Sequence, residues 1–340
     1  MINKPTQTKA NSLFQKGLLL LESAQLAKGR ETLEKSLELF KKANDAEGEA
    51  RNLMKIGRVI ELMGEYPSAK GKYQEALGLS LALANRNAIA QSKANMGSVG
   101  WATGDYSEAG RFLAEALFLF RELGDIAGEA WAHDLVGNLK LAMRDDREAE
   151  NSYLLSFTLV EGLGLNIENK AWNQYHLGAL ALFRQDHKQA KECFTEALGH
   201  FEKMEDVLAR AATLVHLAEI AIEQKDYPTA ETHLQKAVLL ILPTQCRPLL
   251  MDALIGVAQL LKAQGDERKA IGILMVALSH PTCRQQTKDR MVALVITLES
   301  RFTPQEMSGG FRWAKDIGID KMAEGWATSV KAKASAKKLA

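Results

Sequence analysis

Small residues recur along this chain about every forty positions. Ala69, Ala109, Ala149, Ala190, Ala230 and Ala270 are separated by 40, 40, 41, 40 and 40 residues. Twelve residues ahead of each stands another small residue: Gly57, Gly97, Gly137, Gly178, Ala218 and Ala258. Gly17 and Gly29 carry both ladders one step towards the N-terminus. Self-similarity at such a period is the signature of stacked structural units, each unable to bury its apolar face alone.

Within each unit the pattern predicts two helices. A large residue lies four positions after the alanine: Leu33, Tyr73, Leu113, Tyr153, Phe194, Leu234 and Leu274. A small one lies seven after it: Ser36, Ala76, Ala116, Ser156, Ala197, Ala237 and Ala277. Spacings of four and seven share one helical face. Small groups there let helix axes approach closely, and the large residue is expected to fill the gap between units. Between the two helices run turn signals such as Gly64-Glu65-Tyr66, Gly104-Asp105-Tyr106 and Lys225-Asp226-Tyr227. Glycine can close a helix in the left-handed conformation, and the aspartate can cap the next one. Both ladders slip by one between Ala149 and Gly178, which places an extra residue in the loop 161–165.

These residues resemble the tetratricopeptide repeat, with its small residue at position 8, Ala at 20, a large group at 24 and Ala at 27. The resemblance covers about residues 10–280. Two departures are visible: units of about 40 residues rather than 34, and no proline closing the second helix. It implies an all-α, right-handed superhelix of about seven hairpins over 1–280. Residues 281–330 then read as a C-terminal helical cap and 331–340, KAKASAKKLA, as a frayed basic tail. The stretch from Ala277 to Thr282 and the Lys/Arg/Leu-rich helix after it also look like the superhelical arms of bacterial signalling ATPases, the family of the maltose-regulon activator.

Composition narrows the function. Lys+Arg is 43 against Asp+Glu 42, leaving no basic excess for a phosphate backbone. No apolar run is long enough to span a bilayer, and the polar N-terminus lacks a signal-peptide core. Cys193, Cys246 and Cys283 show no paired spacing, which fits a reducing compartment. A cytoplasmic protein without membrane or nucleic-acid partners is expected.

The resemblance implies that the first helices line a concave wall. Arg51, Lys55 and Arg58 form a basic stripe there. Asn95 and Trp101 follow in the next unit, then Trp131, Asp134 and Asn138, then Trp172, Tyr175 and His176, then His216 and Glu219. Three of the five tryptophans fall on inner positions, and Trp, Tyr and Arg concentrate where binding energy does. The expected partner is a protein or peptide segment with an apolar anchor and an acidic neighbour. Aromatics there could equally pack as core, and the basic stripe could pair with nearby glutamates on a wet face. The clamp that some tetratricopeptide repeats use on chaperone tails is not matched: its positions hold Met54, Arg58, Asn95, Trp131 and Leu135, of which only Asn95 fits.

Phosphate-loop, HExxH, GxSxG and CxxC motifs are absent. No cofactor, metal or catalytic set is expected. His176, His216 and Glu219 come nearest to one, and they read better as polar wall residues. The sequence therefore predicts a non-enzymatic scaffold or adaptor, with a ligand-sensing arm of a regulator as the alternative.

Overall fold

The computed structural model describes residues 3–162, 166–299, 302 and 318–339. Among them are sixteen α-helices and no strand. Seven antiparallel hairpins follow one another. They are α1 (Lys4–Glu22) with α2 (Leu26–Ala43), α3 (Ala46–Leu62) with α4 (Tyr66–Ala82), and α5 (Arg86–Thr103) with α6 (Tyr106–Leu123). Next come α7 (Ile126–Ala142) with α8 (Asp146–Gly162), and α9 (Ile167–Phe183) with α10 (His187–Lys203). The last two are α11 (Val207–Glu223) with α12 (Tyr227–Ile241), and α13 (Arg247–Ala263) with α14 (Glu267–Ser279). Two further helices are α15 (Gln285–Glu299) and α16 (Ile319–Leu339). The loop holding the extra residue runs between Gly162 and Ile167, and its residues 163–165 lie outside the described residues, as do the residues 303–317 assigned to the cap.

The glycine ladder works as a set of seats. A Cβ on Gly57 would come within 2.5 Å of the Tyr73 ring, and one on Gly137 within 2.3 Å of Tyr153. Gly97 stands in the same relation to Leu113, Gly178 to Phe194 and Gly17 to Leu33. The large residue therefore nests first against its own hairpin, not only between units as the pattern predicts. Its far side does reach the next unit: Tyr153 stacks on His176 with ring centroids 4.6 Å apart, and Phe194 on His216 at 4.8 Å. Between hairpins a second nesting recurs, with Phe40 over Gly48 and Phe120 over Gly128.

Left-handed residues close the helices. Inside hairpins they are Ala24, Gly64, Gly104, Arg144, Gln185, Lys225 and Gly265. Between hairpins Asn44, Ala84, Gly124, Glu205 and Gln245 do the same. The residue after the turn caps the next helix: Asp105 accepts from the Glu108 N–H and Asp125 from the Gly128 N–H. Non-glycine residues tolerate the positive φ because the two bonds back to the preceding turn are made.

The two ends of the solenoid meet. One hydrophobic cluster joins the first three hairpins to the last two and to α15 and α16, and smaller clusters link hairpin three to four and hairpin five to six. At the junction, Gly64 is so close to Thr282 and Pro248 that a Cβ would lie 2.4 Å from Thr282. Gly104 faces Gln285 in the same way. Arg284 pairs with Asp252 at 3.3 Å and lies over the Trp101 ring, 5.7 Å from its centroid. Thus the segment expected only to cap the last unit also enters the inner side and ties hairpin seven to hairpins two and three. Helix α16 covers the end, with Asp320 paired to Arg247 and the Ala327 carbonyl accepting from Gln235. It continues to Leu339, through the stretch 331–339 assigned above to a frayed tail; alanine and lysine are strong helix formers.

Two stability outcomes follow. Tyr73→Ala leaves a void over Gly57 and orphans a phenol hydrogen bond to Glu61, so it should cost about 3–5 kcal/mol in urea denaturation. Arg284→Ala strands the partly buried Asp252 and should cost about 2 kcal/mol, between the values for exposed and buried pairs.

Candidate functional site

Most of the inner wall of hairpins one to five is open to solvent, and it forms two adjoining cavities. The first, about 670 Å³, is lined by Phe14, Arg51, Met54, Lys55, Arg58, Gln91, Asn95 and Trp131 among others. The second, about 600 Å³, is lined by Trp131, Asp134, Asn138, Tyr153, Trp172 and His176 among others. Arg58, Ala127 and Trp131 line both, so the two make one trough.

Positioning follows from the hairpins. Glycine seats fix the roll of each first helix, so residues four or seven apart on it face the same side. Arg58 is held by Glu61 at 3.4 Å, and Glu61 in turn accepts from the Tyr73 hydroxyl and from Ser98 at 2.6 Å. Arg51 lies over Phe14, 5.4 Å from the ring centroid. The expected alternative of pairing with nearby glutamates holds for Arg58 with Glu61, whereas among the described residues no carboxylate pairs with Arg51 or Lys55; burial and then Arg58 lower the Lys55 pKa. That end of the trough is a cationic surface with spare charge.

The other end is aromatic and acidic. Trp131 leans edge-on against Phe120, and Trp172 against Tyr175 and Phe201. Asn138 accepts from the Tyr153 hydroxyl at 2.9 Å. His176 is buried between the Tyr153 and Trp172 rings. Burial lowers its pKa, its Nδ1 has no partner, and its Nε2 stands 3.7 Å from Asp134 Oδ1. Burial also holds the Asp134 carboxyl above the usual range, against the opposing pull of His176, Ser156 and His133.

Nine of the thirteen wall residues named from the sequence line the trough: Arg51, Lys55, Arg58, Asn95, Trp131, Asp134, Asn138, Trp172 and His176. Four do not. Trp101 is covered by Arg284. The Tyr175 hydroxyl meets His216 Nε2 at 3.1 Å, and burial pushes the Tyr175 pKa up to about 12. His216 Nδ1 stands 3.5 Å from Glu219, which is paired with Arg290 of α15. These four pack against each other or under the returning C-terminal segment. Gln91, also an inner-wall position of its unit, lines the trough as well; missed by the pattern were Phe14, Asn169 and Asn173, the two amides sitting at positions of α9 that a helical-wheel count reaches. Among the described residues no group of three His, Cys, Asp or Glu could hold a metal ion, and no helix is long and apolar enough to cross a membrane.

No family model matches the sequence, and no curated protein does. Solved structures do share the shape. A Rap protein complexed with competence and sporulation factor is similar at TM-score 0.62 and 10% identity, over 94% of this chain and 99% of that one. The apo form of RapI is similar at TM-score 0.55 and 12% identity, over 86% and 98%. A signal-transduction ATPase with a tetratricopeptide-repeat sensor, from Pyrococcus horikoshii, is similar at TM-score 0.50 and 13% identity, over 91% of this chain and 49% of that one. The fold is a tetratricopeptide-type helical solenoid. At these identities the likeness establishes the architecture alone.

A half-buried, poorly compensated carboxylate weakens the fold. With its pKa raised on folding, Asp134 binds its proton more tightly in the native state, so stability falls as pH rises above about 4. Asp134→Asn should therefore melt higher than the parent at pH 7. The difference should close as the pH is lowered through about 4 to about 3, where both side chains are neutral in the two states; differential scanning calorimetry across that range checks it.

Proposed function

We propose that this protein is a non-enzymatic interaction module that binds an extended protein or peptide segment along the trough. The observation that carries the reading is the basic stripe of Arg51, Lys55 and Arg58, the first two without a carboxylate partner among the described residues, running into the exposed Trp131. Spare charge and open aromatic surface both cost stability or solubility unless a partner uses them. An acidic group of the segment meets the stripe, and an apolar side chain lodges between Trp131 and Trp172. Asn95, Asn169 and Asn173 line the same walls and have no side-chain partners among the described residues; primary amides can both donate to and accept from a peptide backbone. Two adjoining cavities of about 670 and 600 Å³ each have the size of a small-molecule pocket, so the trough has room for several residues. A fold neighbour was crystallised with a bound factor, which supports the use of this architecture as a receptor. The work of such a module is cytoplasmic regulation or scaffolding, without membrane or nucleic-acid contact.

Selection from a displayed peptide library tests this. Retained sequences should pair an acidic residue with an aromatic or aliphatic one. Arg58→Glu and Trp172→Ala should each weaken a selected peptide by about tenfold or more, or about 1.4 kcal/mol. Unchanged binding in both variants would remove the groove.

A further inference from the structure

We infer that the Asp134 end of the trough is a cation subsite, taking an alkylguanidinium or alkylammonium group carried by the bound segment. The inference rests on the groove reading above and adds the chemistry of one end.

The chain itself displays what such a subsite holds. On the inner side of hairpin three, the guanidinium of Arg284 lies over the Trp101 ring and pairs with the carboxylate of Asp252. An indole face beside an aspartate is the arrangement that favours a flat cation, through ring quadrupole and ion pair together. Trp131, Trp172 and Asp134 repeat those parts in the cavity of hairpins four and five. There the cation is missing: among the described residues no Lys or Arg lies over Trp131 or Trp172.

Nothing on that wall replaces it. The basic groups lining the cavity are Arg58 and His176. Arg58 belongs to the junction with the other cavity and is paired with Glu61. His176 is buried, and burial disfavours its charged form. Its Nδ1 has no hydrogen-bond partner. Glu168 adds a second carboxylate to the lining. An incoming ammonium or guanidinium would neutralise Asp134 while its alkyl stem covers the indoles.

The consequence is polarity. The cationic stripe at one end and the anionic subsite at the other accept a segment in one direction only, acidic group at α3 and basic group at α7.

Small probes test the subsite without any peptide. Indole N–H resonances of the full chain are followed by NMR while n-butylguanidinium, n-butylammonium, alaninamide or n-butylurea is added. The first two mimic side chains and the third a terminal amine; the last is an uncharged isostere. At least one cation should saturate with a Kd on the order of 1 mM, moving the Trp131 or Trp172 signal, and the strongest of the three identifies the source. The urea should bind at least about tenfold more weakly. Asp134→Asn should lose at least about tenfold in cation affinity while its melting stays cooperative. No saturable cation binding, equal binding of the urea, or a smaller loss in Asp134→Asn would overturn the subsite. The urea comparison uses the unaltered chain, so it stands even if the variant does not fold. Cation binding with no peptide selected by the α3 stripe would instead remove the groove reading and leave the subsite in place.

Discussion

Every property of this molecule depends on how closely two helices of a hairpin can approach. Glycine under a ring is the device. With a Cβ the distance to Tyr73 or Tyr153 would fall to 2.5 Å or less, so the small residue and the large one specify each other. The ring then offers its outer face to the next unit, where His176 or His216 stacks on it. One side chain thus sets both the tightness of its hairpin and the seat of the following one. Because interiors are close-packed, a change at such a seat cannot be absorbed locally.

Repetition of that step bends the stack until its ends touch. The closing contacts are different in kind from the repeating ones. Thr282 and Gln285 approach glycines at the tips of α3 and α5, and Arg284 reaches an indole and an aspartate. Except for the Arg284–Asp252 pair, sequence separations there exceed 180 residues, so ordering them carries a loop entropy that the local hairpins do not bear. Closure divides the inner surface. Around Trp101, Tyr175, His216 and Glu219 it is filled by the chain's own packing and C-terminal segment, and the wall from Arg51 to His176 stays open.

This division explains which features were legible in the sequence. Hairpin number and helix order follow from ladders of Gly and Ala that any reader can count. The open stretch of wall was legible too, since Arg58, Trp131, Asp134 and Trp172 sit where a helical wheel places them. Trp101 and Glu219 carry the same wheel positions and are nevertheless covered. A periodic pattern reports each residue's place in its own unit, and it says nothing about which distant unit returns to meet it. The inter-hairpin nesting of Phe40 on Gly48 was hidden for another reason: Ser80 and Ala88 break its second step, so the ladder looks irregular unless both members are read as a pair.

The open wall is also where the molecule departs from its own packing rules. Where the C-terminal segment closes the wall, a basic side chain has a carboxylate and an indole has a lid, as Arg284, Asp252 and Trp101 do for one another. At Arg51, Lys55, Trp131 and Asp134 those partnerships are left incomplete, with spare positive charge at one end and, at the other, a half-buried carboxylate in a cavity whose indoles carry no cation among the described residues. Random drift would scatter unpaired charges over the outer surface, where water screens them and they cost little. Gathering them on a concave wall, partly desolvated and sorted by sign along its length, strengthens each charge's reach. The incomplete partnerships share one surface and one axis, and a single elongated guest of matching polarity can satisfy them together.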